Sequence, residues 1–138
     1  MNGIYVDTSA WVAMHNARDK YHVRAKAVTG GLNRQTSLIT TNYVLDETLT
    51  MLLMDVRFTA SMGFKRLVNV LQQQAVLKVV WVGEELAEQA WAVFERYNTD
   101  KLWSFTDCVS YAVMKRERLT EAFAFDHHFE QMGFAIAA

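Results

Sequence analysis

The sequence predicts an α/β domain in which helices flank a mainly parallel sheet. Short runs rich in β-branched residues alternate with longer segments of helical periodicity, the pattern that builds crossover connections between parallel strands. The chain has 138 residues, 51% of them hydrophobic and 21% charged, which is enough for one packed core and too little for two ordinary domains. Residues 1–138 are therefore expected to form one unit. No repeat, low-complexity tract or interdomain linker interrupts them, and proline is absent altogether.

Each element follows from local chemistry. Ile4-Tyr5-Val6 reads as a short buried strand, and Asp7-Thr8-Ser9 supplies the turn and N-cap for a helix beginning near Ala10. Tyr21 to Val28 reads as helical, stopped by Gly30-Gly31. Ser37 to Thr40 forms a second strand, after which Thr41-Asn42 caps a helix carrying Val44, Leu45, Leu49, Leu52 and Leu53. A helix from Thr59 to Gln73 places Phe64, Leu67, Val68 and Leu71 on one side, and Val76 to Val82, dense in β-branched residues, is the clearest strand. Glu84 to Tyr97 is again helical, Asn98 to Trp103 a loop, and Ser104 or Thr106 can cap a helix from Asp107 to Arg116. Ala122 to Phe125 is a last buried strand, ending at Asp126.

Composition excludes several classes. The single Cys108 rules out an intramolecular disulfide and a cysteine-based zinc cage, and suits a reducing cytoplasm. No basic stretch followed by an apolar run precedes Ile4, and no uncharged apolar stretch approaches the roughly 20 residues that span a bilayer. A soluble cytoplasmic protein is expected. With 14 Lys plus Arg against 15 Asp plus Glu, the chain cannot hold nucleic acid by bulk phosphate neutralisation, so a phosphate substrate needs local help. Three small basic clusters could give it: Arg18, Lys20, Arg24 and Lys26; Arg57, Lys65 and Arg66; and Lys115, Arg116 and Arg118. The simplest account of each is a solvated helix face.

Four acids stand where apolar runs meet turns or helices: Asp7, Glu47, Asp107 and Asp126. Each has an ordinary explanation. Asp7 can close a turn, Asp107 can complement the positive end of its helix, and Asp126 can open the turn into His127-His128. Glu47 is harder to explain so, because it lies inside an otherwise apolar helix where an unpaired inward charge is expensive. In parallel sheets ligands bind beyond the carboxyl ends of the strands, which is where Asp7 and Asp126 are expected. Together, four separated carboxylates delivered to strand ends and helix starts suit a hard divalent cation, Mg2+ or Mn2+, which takes oxygen ligands.

The segments IYVDTSAWVA, ITTNYVLDETLTMLL, WSFTDCVSYAVMK and AFAFDHHFEQMGF resemble, in order and spacing, the four acidic motifs of PIN domains. The likeness is strongest to the short ribonuclease toxins of VapBC-type toxin–antitoxin pairs and runs from Ile4 to Phe134. It implies a three-layer PIN-like fold, metal binding and catalysis by Asp7, Glu47, Asp107 and Asp126, and assistance from Thr8 or Ser9 and from Ser104 or Thr106. These hydroxyls would hydrogen-bond the carboxylates or the substrate phosphate. Asp126 is the acid that varies among members, with Asp46 and Asp100 as substitutes or outer partners; Asp46 points about 100° away from Glu47 around its helix.

The implied activity is metal-dependent endoribonucleolytic cleavage, leaving a 5′-phosphate and a 3′-hydroxyl. The implied partners are RNA, a cognate antitoxin and a second copy in a homodimer. A housekeeping RNA-processing nuclease is an alternative, as is an inert PIN-like protein-binding module, although all four acids are present. Met51, Leu52, Met54, Phe58, Met62 and Phe64 offer more apolar mass than one inward stripe needs, which suits an antitoxin helix. His127 and His128 read as a turn flanking the site rather than as ligands. Cys108 reads as a small buried apolar residue, and Trp103 as core mass or, in its loop, a base-stacking platform.

Overall fold

The computed structural model describes residues 3–33 and 35–137. Five strands, β1 (Gly3–Val6), β2 (Ser37–Thr41), β3 (Leu77–Val80), β4 (Glu121–Phe123) and β5 (Ala135–Ile136), form one sheet in the order β3-β2-β1-β4-β5. Every pairing is parallel. Between them run α1 (Thr8–His15), α2 (His22–Gly30), α3 (Asn42–Asp55), α4 (Phe58–Gln73), α5 (Glu84–Tyr97), α6 (Phe105–Arg116) and α7 (His128–Gln131). This is the expected three-layer arrangement.

Alternation along β1 shows the layers. Tyr5 is fully buried, its hydroxyl 2.7 Å from Ser110 Oγ on α6 and its ring near Phe129 on α7. The neighbouring Val6 lies with Trp11 of α1 and Leu67 of α4 on the opposite side of the sheet. The core is continuous through both faces, with Trp11, Tyr5, Phe64, Phe123 and Phe129 its largest fully enclosed side chains.

Helix starts are chemically marked. Asp7 caps α1 by accepting from Ser9 N, and Thr41 caps α3 by accepting from Val44 N. Ser104 and Asp107 form a reciprocal capping box at α6. α1 therefore begins at Thr8 and α6 at Phe105, each two residues earlier than the apolar pattern suggests. Two helices end without glycine: Ala75 and Arg118 take φ of 58° and 57°, and Val76 N and Leu119 N donate back to Leu71 and Met114 carbonyls.

Two elements escaped sequence reading, α7 and β5. Gly133, at φ 91°, reverses the chain between them. With two residues, β5 has no alternation to detect, and β4 ends at Phe123 because Phe125 and Asp126 belong to the bend that follows. No helix among the described residues is long and apolar enough to cross a membrane.

The strand order places the site. From β1 the chain winds outward to β2 and β3, then crosses back to β4 on the other side of β1. Connections diverge at the carboxyl ends of β1 and β4, and such a divergence leaves a crevice. Asp7 follows β1 directly, and its N–H donates to Phe123 O at the end of β4.

Candidate active site

An open cleft of about 480 Å³ lies at this divergence, and Asp7, Glu47, Asp107 and Asp126 all line it. They arrive on the start of α1, the middle of α3, the first turn of α6 and the bend after β4. Asp46 is exposed, and Asp100, exposed and ion-paired to Lys101 at 3.1 Å, does not line the cleft.

Each acid is held differently. Asp7 is almost fully buried; its Oδ2 accepts from Ser9 N at 3.1 Å and Ser9 Oγ at 2.8 Å. Ser9 Oγ in turn accepts from Phe125 N at 3.0 Å, which ties α1 to the segment carrying Asp126. Asp107 Oδ2 accepts from Ser104 N at 3.1 Å, while Ser104 Oγ accepts from Asp107 N at 3.0 Å. Asp126 Oδ1 accepts from His128 N at 2.8 Å.

Burial sets the electrostatics. Desolvation pushes Asp7 up from 3.8 to about 7, and the charge of Asp107 adds to it, against the hydrogen bonds from Ser9. Desolvation also raises Asp107, helped by Asp126 and opposed by Ser104 N and His128. Glu47 is raised by burial first, then by Asp107, Asp126 and Asp46. The cleft thus concentrates mutually repelling carboxyls that resist ionising together.

His128 corrects the sequence reading. Its Nδ1 lies 2.7 Å from Asp107 Oδ2 and 3.1 Å from Asp126 Oδ1, so an N–H there donates into the gap between two carboxylates. Far from merely flanking the site, His128 cross-links two of its acids. Only a local signal, two histidines after Phe-Asp, was available to suggest this. Asp126, His127 and His128 also bring potential ligand atoms within 4.8 Å of one another. His127 is exposed there and the three are sequence neighbours, so chain proximity accounts for that cluster; the buried carboxyls lie deeper in the cleft.

Other expected helpers fall elsewhere. Ser104 reaches Asp107 through its backbone N–H, its hydroxyl being used for capping, and Thr106 does not line the cleft. Trp103 is 3% exposed, donates from Nε1 to Gln131 Oε1 at 2.9 Å, and packs on Tyr97 and Tyr111. It is a structural pin and cannot stack on a base; its neighbour Leu102, 89% exposed, lines the cleft instead. Cys108 is buried, its thiol pushed up to about 11 by desolvation, which leaves it inert.

The donor chemistry fits a divalent cation. Four carboxyls share one cleft, and Thr8 Oγ1, buried in its wall, has no hydrogen-bond partner among the described residues although Thr8 lies close enough to favour the ionised form of Glu47. A hard cation satisfies oxygens of this kind.

The PIN domain family matches residues 4–135, nearly the whole of the chain that builds this cleft. This chain belongs to the PIN domain family. Within it, the PIN domain is 34% identical over 131 residues to the 23S rRNA-specific endonuclease VapC20 of Mycobacterium tuberculosis, with 95% of each chain covered. It is 27% identical over 129 residues to a VapC ribonuclease of Archaeoglobus fulgidus, covering 90% of this chain and 77% of that one. The crystal structure of Mycobacterium tuberculosis VapC20, a sarcin–ricin loop cleaving toxin, matches with a TM-score of 0.85 at 33% identity over 96% of both chains. VapBC2 from Rickettsia felis shares the fold at a TM-score of 0.65 and 9% identity, over 97% of this chain and 96% of that one.

Proposed function

We propose that this PIN domain is a divalent-metal-dependent endoribonuclease and the toxin of a toxin–antitoxin pair. The observation that carries the reading is the convergence of Asp7, Glu47, Asp107 and Asp126 from four separate segments on one cleft. Similarity to relatives named as ribonucleases supports it. Asp7, Glu47, Asp107 and Asp126 would hold Mg2+ or Mn2+, with Thr8 Oγ1 beside them. Such an ion, when bound, supplies a hydroxide-like water near neutral pH and polarises the phosphoryl oxygen.

The remaining work falls to the chain itself. Ser9 fixes the Asp7 carboxyl, while Ser104 N and His128 fix Asp107 against the repulsion of Asp126. The N-termini of α1 and α6 open into the cleft at Asp7 and Ser104, and their positive ends favour both carboxylates and a phosphate brought against them.

The partner reading rests on the α3–α4 corner. Met51, Leu53, Met54 and Phe58 are exposed there, with Met54 at 76%, whereas Leu52 and Phe64 are fully buried and Met62 half-buried. The apolar ridge is therefore narrower than the sequence suggests. It suits an amphipathic antitoxin helix, or a second copy of the chain.

Incubation of the purified protein with ribosomal RNA and Mg2+ tests the activity, 23S rRNA being the first substrate to try. Cleavage should occur with wild type and be abolished by Asp107→Asn, with both proteins folded. Intact RNA under all metal conditions, together with normal growth of cells expressing the chain alone, would remove the toxin reading.

A further inference from the structure

Among the described residues, His127 and His128 are the only basic side chains that line the cleft. Its walls carry five acids, Asp7, Asp19, Glu47, Asp107 and Asp126, and no Lys or Arg. An RNA strand running through it needs positive charge at the rim to offset repulsion away from the scissile phosphate.

One rim supplies it. Tyr21, at the start of α2, and Phe125, next to Asp126, both line the cleft and stack on each other with centroids 4.6 Å apart and planes 4° from parallel. Lys20 Nζ lies 4.9 Å from the Tyr21 centroid. Arg24 Cζ lies 5.8 Å from the Tyr21 ring and 5.7 Å from the Phe125 ring. Both cations are exposed, and among the described residues neither has an acidic partner within 4 Å. Asp19, the nearest acid in sequence, turns its Oδ1 to Tyr21 N at 2.8 Å. Lys20 and Arg24 rest on aromatic faces, which orient them while leaving the guanidinium and ammonium donors free.

We propose that Lys20 and Arg24, seated on the Tyr21–Phe125 stack, form a positioning ledge that grips the backbone of single-stranded RNA on the Asp126 side of the cleft. This rests on the ribonuclease reading above and adds its docking surface. RNA fits better than an acidic protein tail because the ledge joins a half-buried aromatic pair that lines the cleft to two un-neutralised cations, the combination that tracks a stacked, charged strand. Arg24 and Lys20 touch flanking phosphates and leave the reacting atoms to the acids. Their removal should therefore weaken binding and spare the chemical step.

The test is steady-state cleavage of a mixed-sequence single-stranded RNA by wild type, Arg24→Ala, Arg24→Lys and Lys20→Ala/Arg24→Ala, at several salt concentrations with saturating Mg2+. Expected are unchanged melting temperatures, kcat within about twofold, and a KM raised about tenfold by Arg24→Ala and further in the double variant. The salt dependence of kcat/KM should flatten by about 0.7 in log–log slope per lost phosphate contact, and Arg24→Lys should recover most of the affinity. An active wild type beside a double variant with the same KM and salt slope overturns the ledge alone. A wild type that neither cleaves nor binds labelled RNA overturns the ribonuclease reading, and the ledge with it. Normal RNA kinetics joined to lost capture of the coexpressed neighbouring gene product would assign the ledge to a protein and refute its role with RNA.

Discussion

Replacing Asp7 by Asn should stabilise the metal-free protein and change how its stability depends on pH. Asp7 is buried, and desolvation with the Asp107 charge lifts it from 3.8 to about 7. A carboxyl raised in the folded state contributes stability that is fully present below its unfolded value and lost as pH rises through the folded one. In the wild type that loss runs from about pH 4 to somewhat above pH 7. One pH unit across this window corresponds to about 1.4 kcal/mol, so ionising Asp7 costs the fold about 4 kcal/mol at pH 8.

Asparagine keeps the shape and caps α1 as well as aspartate does, accepting from Ser9 N through its amide oxygen. It has no charge to desolvate. In EDTA at pH 8, Asp7→Asn should therefore exceed wild type by about 2 to 4 kcal/mol, roughly 6 to 15 °C in melting temperature for a domain of this size. At pH 5 the gap should shrink by about 2 to 3 kcal/mol from its pH 8 value, and it should be smallest near pH 4, where Asp7 is protonated in both states. Thermal or urea unfolding at pH 4, 5, 6, 7 and 8 makes the comparison, since groups remote from the cleft cancel between the proteins and relief of Asp107 adds to the variant's gain. Parallel pH curves, or a variant less stable than wild type at pH 8, would refute the claim that a buried, desolvated carboxylate sits at the end of β1.

Millimolar Mg2+ or Mn2+ should raise the wild-type melting temperature and Glu47→Gln should lose most of that shift, because a ligand confined to the folded state stabilises it by mass action; equal shifts in both proteins would mean that Glu47 shares no cation. EDTA should stop cleavage, and Zn2+ should restore it poorly. His128→Gln should lower kcat/KM about 10- to 100-fold through misplacement of Asp107 and Asp126 while the chain stays folded; full activity would reduce His128 to a bystander. Ala75→Gly should stabilise the protein by about 0.5 to 1 kcal/mol, since the left-handed conformation of Ala75 costs about 1 to 2 kcal/mol and the greater unfolded freedom of glycine offsets about 0.4 to 1 of it; a lower denaturant midpoint would contradict it.

Much of the local structure is legible in the chain because its causes are local. Asp7 beside Thr8-Ser9, Thr41 before Val44 and Ser104 three residues before Asp107 mark helix starts through hydrogen bonds spanning two or three residues. Burial runs such as Ile4-Tyr5-Val6 and Ala122-Phe123 declare strands, and their alternation with helices dictates parallel pairing. The positions of the four acids follow from the same signals.

What tertiary structure alone decided is how these pieces meet. His128 bridges Asp107 across 21 positions, Ser9 holds Phe125 across 116, and Tyr21 stacks on Phe125 although no short-range pattern couples them. Trp103 looks from its loop like a free aromatic, yet Gln131 and Tyr111 enclose it. The exposed ridge at the α3–α4 corner shrank because Leu52 and Phe64 turn inward, which helical spacing leaves open until a neighbouring face is present. Sequence determines which groups can make a hydrogen bond, a cap or a buried strand, because those depend on adjacent atoms. The company each side chain keeps depends on which segments the sheet order brings together, and the pairing of β4 beside β1, where the connections diverge, settles that for the whole cleft.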